Sequence, residues 1–232
     1  MSKIVKLNIL GIKFKLKIPN KYSYKINGKN NKVEIDERIN PNIKIKGNNN
    51  EVIVTKNERK EPVNLKINIL GNNNKVIIKN ISVAYSLYID IGNYTGVNDC
   101  TIIIDDNLVC AGTTIYAYQN NVPIHIGKNC MISTNTVIRS GELPHSVFDK
   151  NTYEDFDKSN GIEIGNHVWI GEHAYILKRA KIADNSIVGT MSVVTKRFEE
   201  PNVVIAGNPA KICKDNVMWL EDYKDRPEPI NV

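Results

Sequence analysis

Long apolar runs are missing from this sequence, and none approaches the roughly 20 residues that a membrane-spanning helix needs. The N-terminal stretch MSKIVKLNILGIKFKLKIP alternates lysine with aliphatic residues. It therefore lacks the continuous apolar segment of a signal peptide, and we interpret it as β-strand. We expect a cytoplasmic protein with no membrane span.

Cysteine is scarce, and the groupings that give it chemistry are absent. The chain has four cysteines, and they form no CxxC pair and no Cys/His zinc spacing. No serine stands in a GxSxG nucleophile elbow. We therefore expect reduced structural cysteines, no metal and no covalent intermediate. The cysteines are Cys100, Cys110, Cys130 and Cys213.

A basic block interleaved with aromatic residues, as in many nucleic-acid-binding proteins, is also absent. The formal net charge is +6, but the lysines are spread along predicted strands. Lysine at exposed strand positions normally prevents pairing with other chains. We expect no nucleic-acid partner. A mildly basic surface also suits an anionic cofactor or an acidic glycan.

What the chain does have is a six-residue repeat. From Ile164 an aliphatic residue recurs every six positions, and small or β-branched residues such as Val168 and Ala174 follow four places later. A helix repeats every 3.6 residues and a strand every two, so neither fits. The period indicates an all-β prism of stacked coils, each with three short parallel strands, whose repeated aliphatic residues point inward. These residues are Ile164, Ile170, Ile176, Ile182, Val188 and Val194.

The repeat extends upstream in pieces. Ile104, Cys110 and Tyr116 are six residues apart and are predicted to point inward, as is the Ile126, Ile132, Ile138 series. Looser units rich in Gly and Asn begin at Ile26, Ile45 and Ile69, close to one coil apart. Gly-Asn-Asn runs supply left-handed corner conformations at low cost.

We predict three regions from these patterns. Residues 1–100 form irregular N-terminal β coils of the same solenoid, with a separate small β domain as the alternative. Residues 101–213 form the hexapeptide-repeat domain, and residues 214–232 form a short C-terminal helix and a tail. The helix is predicted over Lys214 to Asp222, with Trp219 packed against the last coil.

A loop at 139–161 interrupts the coils and must project from a corner of the solenoid. It carries His145, with several carboxylates nearby in sequence, including Glu142, Asp149 and Asp157. A histidine on a projecting loop can reach a substrate, and a nearby carboxylate can orient its ring. Such a histidine is suited to act as a general base. A solvated surface histidine is the alternative.

The three other histidines raise the question of a metal site, as in the β-helical carbonic anhydrases. His167 and His173 are one hexad apart, so they lie on different faces of one subunit. We interpret them and His125 as surface residues and predict no metal.

Positive charges near the end of the repeat suggest an anion site. Lys196 and Arg197 lie in the Val194 hexad, and Lys211 and Lys214 lie in the segment AGNPAKICK. We predict that the four charges meet near one corner and suit the phosphates of coenzyme A. Ordinary charges on a solvated corner are the alternative.

Residues 108–213 resemble the hexapeptide-repeat acyltransferases of the galactoside, xenobiotic and capsule O-acetyltransferase group. The resemblance is carried by IGNHVWIGEHAYILKRAKIADNSIVGTMSVVTK followed by VVIAGNPAK. The stretches AGTTIYAYQNNVPIHIGKNCMISTNTVIRSG and HSVFD look most like capsular polysaccharide and sialic acid O-acetyltransferases.

The resemblance implies a left-handed parallel β-helix and a homotrimer with active sites between subunits. It also implies that His145 is the base and that Trp169 lines the site. Acetyl-CoA would be the co-substrate. Its matching positions are Gly171, Glu172, Thr190, Thr195, Lys196, Lys211 and Lys214.

The chain departs from the family pattern before the base. Many relatives have Ser-Asp-x-His there, whereas this chain has Gly141-Glu142-Leu143-Pro144-His145. The usual acidic residue two places before the histidine is missing, so Glu142 or Asp149 would have to orient the ring. Glu172, Arg179 and Thr190 replace smaller residues.

We consider three functions for this chain. The first is acetyl-CoA-dependent O-acetylation of a bacterial surface polysaccharide or its sugar precursor. The second is N-acetylation of an amino sugar or small amine in the same cleft. The third is a silent scaffold, which the combination of His145, Trp169 and AGNPAK argues against. The Asn-rich N-terminal coils favour a large polar acceptor, so O-acetylation of a glycan is our prediction.

Overall fold

The computed structural model describes residues 3–9, 12–18, 23–58, 60–92, 94–156 and 160–225. Apart from the antiparallel pair β1 (Lys3–Ile9) and β2 (Ile12–Ile18), the described strands build a parallel β-helix. Its strands lie on three faces, which we call I, II and III. The corners between them are named I/II, II/III and III/I in chain order.

Face I is an unbroken parallel sheet along the solenoid. Its inward residues include Ile102, Ile126 and Ile164, all buried. The strands of face I are β4 (Lys32–Ile35), β6 (Glu51–Lys56), β8 (Lys75–Ile81), β10 (Thr101–Ile104), β13 (Pro123–Ile126), β16 (Ile162–Ile164), β19 (Lys181–Ile182) and β22 (Arg197–Phe198).

Faces II and III are separate in the C-terminal coils and merge into single long strands in the N-terminal coils. The transition is β9, which pairs with β11 at one end and with β12 at the other. Face II contains β11 (Val109–Cys110), β14 (Met131–Ile132), β17 (Trp169–Ile170), β20 (Ile187–Val188) and β23 (Val204–Gly207). Face III contains β3 (Ser23–Asn27), β5 (Asn40–Lys46), β7 (Val63–Leu70), β9 (Val83–Ile91), β12 (Thr113–Ala117), β15 (Thr136–Arg139), β18 (Tyr175–Leu177) and β21 (Val193–Val194).

The core is the stack of inward aliphatic residues, as the six-residue period predicts. Ile164, Ile170 and Ile176 are fully buried, and so are Val188 and Val194. Burying one such side chain contributes roughly 1.5–3 kcal/mol, so the stacked coils supply most of the stabilisation. The small residues four places on, such as Ala174, are also fully buried.

The prediction for Tyr116 is wrong by one residue. Ile115 points inward, in register with Ile138, and Tyr116 faces outward beside Arg139. The cause is corner II/III of this coil, because only residues 111–112 separate β11 from β12, whereas residues 133–135 separate β14 from β15. The shorter corner shifts every later side chain of that strand by one place.

Corner III/I of the N-terminal coils is held by ladders of asparagine. The Oδ1 of Asn72 accepts hydrogen bonds from the N–H and Nδ2 of Asn48, and Asn98 does the same for Asn72. A buried ladder links Asn50 to Asn74 in the same manner. These bonds satisfy backbone groups that the turning chain cannot pair itself, which explains the repeated Gly-Asn-Asn units.

The C-terminal segment differs from the prediction. Strand β24 (Ala210–Lys214) runs antiparallel to β23, and no helix forms over Lys214 to Asp222. The one helix among the described residues is the 3₁₀ turn Tyr223–Asp225. Strand β24 takes up Lys214, the first residue of the predicted helix, and residues 215–222 form no regular structure, since an isolated helix of nine residues has little stability of its own. Residues 226–232, predicted as a loose tail, lie outside the described residues.

No helix in the described part of the chain has the length and apolar character required to cross a bilayer.

Candidate active site

The projecting loop leaves the end of face III and returns to face I, so it stands on corner III/I. Its described contacts fasten it to that corner. The Leu143 N–H donates to the Tyr118 carbonyl at 3.3 Å, and the Arg139 Nε donates to the Gly141 carbonyl at 2.8 Å. On the return side, the Arg179 guanidinium donates to the Phe156 carbonyl. Asp157 lies outside the described residues.

His145 is exposed near the start of this loop. Its backbone N–H donates to the Glu142 carbonyl at 3.1 Å. Its imidazole has no hydrogen-bond partner in the ranges that the structure describes. The ring is thus available to a ligand.

Neither of the predicted orienting carboxylates is bonded to the His145 ring. The Glu142 carboxylate lies 3.3 Å from the Arg139 Nε and 3.8 Å from the Lys178 Nζ. The Asp149 Oδ1 accepts the backbone N–H groups of Thr152 and Asn151, which lower the pKa of that carboxyl. Both carboxylates therefore shape the loop rather than the imidazole.

Trp169 is on strand β17 of face II and has 36% of its surface exposed. Its indole Nε1 lies 3.5 Å from the Ser133 Oγ. Its ring centroid is 6.1 Å from that of Trp219. An accessible indole N–H on a rigid strand can serve as a donor to a carbonyl oxygen placed beside it.

Trp219 packs on face II beside His167. The prediction that it packs against the last coil is wrong. Its ring stacks on His167 with centroids 4.1 Å apart, and its Nε1 donates to the His167 carbonyl at 2.9 Å. The side chain is 94% removed from solvent because the segment after β24 folds back over face II. Trp219 therefore fastens the C-terminal segment beside Trp169.

Corner II/III brings together three predicted cofactor positions. Gly171 and Thr190 are adjacent in neighbouring coils, and a Cβ on Gly171 would lie only 2.7 Å from the Thr190 nitrogen. The Glu172 carbonyl accepts the Met191 N–H at 2.8 Å. The N–H groups of Glu172 and Thr190 make no hydrogen bond with any described residue. They form a short row of donors on an outer edge of the solenoid.

The four predicted phosphate-binding charges do not meet at one corner of the subunit, contrary to the prediction. Lys211 of β24 pairs with Ala206 of β23, next to corner II/III, whereas Lys214 pairs with Val204 at the start of β23. Lys196 comes after β21 at corner III/I, together with Thr195. Faces I and II, formed by β22 and β23, separate these two corners along the chain.

Arg197 is the least available of these charges. It lies on face I, where its Nε is 2.9 Å from the Glu199 carboxylate and its Nη2 is 3.4 Å from that of Glu163. The Lys196 ammonium lies over the Phe198 ring at 5.3 Å and has no carboxylate partner in the described chain.

His167 and His173 are corner residues with positive φ angles of 53° and 57°. They occupy positions that asparagine fills in neighbouring coils, namely Asn185 beside His167 and Asn135 beside His173. His125 is on face I, 2.9 Å from the Asp105 carboxylate. The described residues contain no group of three or more metal-ligating side chains.

The three interior cysteines are poor nucleophiles. Burial raises the pKa of the Cys100 and Cys110 thiols to about 11 and that of Cys130 to about 12. A thiol, unlike a thiolate, does not attack a thioester efficiently. Cys213 is exposed on β24.

His145 and Trp169 lie on opposite sides of the solenoid. The His145 loop stands on corner III/I, whereas Trp169 is on face II, which is the face opposite that corner. The buried core of the prism lies between them. Among the described residues, no contact joins His145 to Trp169 within one copy of the chain.

Comparisons with known proteins find similarity to hexapeptide-repeat transferases and to acetyltransferases. Residues 161–196 match the family described as bacterial transferase hexapeptide (six repeats). Galactoside O-acetyltransferase of Escherichia coli (strain K12) is 31% identical over 150 residues, which are 62% of this chain and 61% of that protein. The chain thus spans about three fifths of this curated relative.

Two solved structures are similar over most of the chain. The polySia-specific acetyltransferase NeuO has a TM-score of 0.71 at 25% identity, with 89% of this chain and 92% of that one covered. The polysialic acid O-acetyltransferase OatWY has a TM-score of 0.60 at 28% identity, with coverages of 87% and 92%. These findings confirm the predicted resemblance to hexapeptide-repeat acyltransferases and the left-handed parallel β-helix fold.

Proposed function

We propose that this protein is an acetyl-CoA-dependent O-acetyltransferase that modifies a hydroxyl of a bacterial surface polysaccharide or its sugar precursor. The observation that carries the proposal is the exposed His145 on a loop anchored to corner III/I, in a β-helix similar to those of NeuO and OatWY. The similarity to a galactoside O-acetyltransferase supports a sugar hydroxyl as acceptor.

His145 acts as the general base in this scheme. The neutral imidazole accepts the proton of the acceptor hydroxyl as that oxygen forms its bond to the acetyl carbon. The same ring nitrogen then holds the proton for the sulfur that leaves. The three buried cysteines are protonated, and the proposed site includes no cysteine or serine nucleophile, so in this scheme the acceptor attacks directly and the mechanism is sequential.

The residues of corner II/III fit a coenzyme A thioester, which supplies the acetyl group when bound. The unpaired N–H groups of Glu172 and Thr190 suit the amides of a pantetheine arm, and Gly171 keeps the corner narrow. Exposed Lys211 and Lys214 suit phosphate groups. Trp169 would offer its indole N–H near the reacting carbonyl.

The active site is proposed to form between copies in a homotrimer. His145 and Trp169 are on opposite sides of one subunit, so a site that uses both needs two copies. Thr195 and Lys196, at corner III/I, would then belong to the copy that supplies His145. A closed ring repeats this shared site at every interface, and the resemblance implies that the ring is a trimer.

Thermal stability with and without acetyl-CoA tests this proposal before the acceptor is known. A ligand present at 100 times its dissociation constant adds about 2.7 kcal/mol to the free energy of unfolding, which raises the melting temperature visibly. Absence of any rise at millimolar acetyl-CoA would contradict the assigned co-substrate. A panel of oligosaccharides, nucleotide amino sugars and chloramphenicol then identifies the acceptor, and acetylation of amines alone would overturn O-acetylation.

A further inference from the structure

Outward side chains of face III form a straight column from the N-terminal coils to the root of the His145 loop. Parallel pairing places its members in register from one coil to the next. Its five steps of about 4.8 Å give a length of about 24 Å. The column consists of Lys25, Lys44, Asn68, Asp90, Tyr116 and Arg139.

The N-terminal members of this column, from Lys25 to Asp90, line an open groove of about 380 Å³. Lys46 lines it as well, and Tyr88 contributes a half-buried ring. The Lys66 ammonium lies over that ring, 4.3 Å from its centroid. The Asn68 Nδ2 donates to the Tyr88 hydroxyl at 2.8 Å, so the ring is held in place from two sides. We call this surface the face III groove.

The lysines of the face III groove differ from those of face I in their partners. On face I, Lys75 lies 3.0 Å from Glu51, Lys79 lies 2.8 Å from Asp105, and Lys181 lies 2.7 Å from Glu199. Within the described ranges, the four lysines of the groove have no carboxylate within ion-pair distance. They are Lys25, Lys44, Lys46 and Lys66.

The acidic residue that lines the groove is buried and already accepts a hydrogen bond. Asp90 is 93% buried, and its Oδ2 accepts the Tyr118 hydroxyl proton at 2.7 Å. Three exposed lysines thus line the groove, a fourth lies over its Tyr88 ring, and none of the four has an ion-pair partner among the described residues. Such a row attracts an extended anion whose charges repeat along its length.

We infer that the face III groove binds an acidic polysaccharide and holds it in line with His145. Lysine ammonium groups pair with carboxylates of successive sugars, and Arg139 marks the point where the polymer reaches the catalytic loop. This inference rests on the proposed function, because continuity with the loop is what favours a glycan over a nucleic acid. It narrows the acceptor class from surface polysaccharides to polyanionic ones.

The test compares two variants of the full chain with equal loss of charge. The groove variant carries Lys25→Gln, Lys44→Gln, Lys46→Gln and Lys66→Gln. The control variant carries Lys32→Gln, Lys75→Gln, Lys79→Gln and Lys181→Gln, all on face I. Each must keep the β-helix circular dichroism spectrum and a cooperative melting transition, and a groove variant that unfolds is replaced by Lys44→Gln with Lys66→Gln.

Binding to polysialic acid is measured without acetyl-CoA, against dextran as the neutral polymer. We expect the groove variant to bind at least about tenfold more weakly, which corresponds to roughly 1.4 kcal/mol, and to lose most of the salt dependence. The control variant should change affinity less than about twofold, as expected for ion-paired surface lysines. Equal losses in both variants, or equal binding of dextran, would overturn the inference.

Two further readouts separate this inference from the proposed function. If the protein binds polysialic acid through the groove but transfers no acetyl group to any sugar, the groove stands and the enzymatic proposal fails. If the groove variant acetylates polymer and monomer as the unmodified chain does, the groove inference fails and the enzyme stands. Tighter, groove-dependent binding of poly(U) would make the partner a nucleic acid and overturn it as well.

Discussion

The carboxylate of Glu142 is bonded to Arg139, 3.3 Å from its Nε, and not to the ring of His145 three residues later. Lys178 in the next coil lies 3.8 Å from the same carboxylate. Glu142 therefore links the first turn of the His145 loop to face III. The sequence leaves Glu142 and Asp149 open as orienting partners, and in this structure both stabilise the loop.

We expect Glu142→Gln to slow acetyl transfer modestly, by less than about tenfold, because the catalytic loop loses one of its anchors. A half-exposed ion pair contributes about 0–1 kcal/mol, so the melting temperature should hardly change. Initial rates at saturating acetyl-CoA measure the effect. A loss within the 10²–10⁴-fold range that is typical for removal of a general base would instead make Glu142 a direct partner of the base.

Lys211→Ala should weaken acetyl-CoA binding and make the remaining affinity less sensitive to salt, because Lys211 is exposed beside corner II/III. Arg197→Ala is the matched control. Its guanidinium is already paired with Glu163 and Glu199 on face I, so we expect a smaller change in affinity. Titration by calorimetry at two salt concentrations gives both quantities. Equal losses of acetyl-CoA affinity in the two variants would indicate that Arg197 also binds the phosphate groups.

Co-expression of His145→Ala and Trp169→Ala chains tests the site between subunits. Each variant alone should be nearly inactive. Random mixing in a cyclic trimer rebuilds about a quarter of the sites, since His145 of one copy meets Trp169 of another. Recovered activity near that fraction supports a shared site. If mixed trimers form, as shown by two affinity tags, and stay inactive, the two residues do not act across subunits.

Thiol labelling tests the absence of a cysteine nucleophile. Burial holds the Cys100, Cys110 and Cys130 thiols protonated, and Cys213 is exposed. At pH 8 we expect one thiol per chain to react rapidly in the folded protein and all four after unfolding. Activity of the Cys213→Ser variant should match that of the unmodified chain. Loss of transfer in this variant would contradict the sequential mechanism.

Much of the fold is predictable because the interior of a β-helix imposes its period on the sequence. The Ile164 series occupies the core as expected, since every inward position is sterically equivalent. Tyr116 is misassigned because corner length varies, and a pattern of six does not detect a corner shortened by one residue. The N-terminal coils have two faces joined in long strands, so their hydrophobic residues alternate instead of repeating every six.

The site is less predictable than the fold. His145 stands out because it interrupts the repeat, and Trp169 because of the resemblance, but spacing cannot say that Lys196 and Lys211 lie at different corners. The stacking of Trp219 on His167 has no sequence signal, since the contact joins residues 52 positions apart. The face III groove was missed for a related reason. Its lysines belong to three separate strands, and only strand register aligns them.

The role of His145 is tested most directly by the release of coenzyme A thiol from acetyl-CoA in the presence of a sugar acceptor, with the unmodified chain and with His145→Ala. We predict acceptor-dependent release by the unmodified chain. For His145→Ala we predict a rate about 10²–10⁴-fold lower, with acetyl-CoA affinity retained. Near-full activity of His145→Ala would contradict the assignment of His145 as the base.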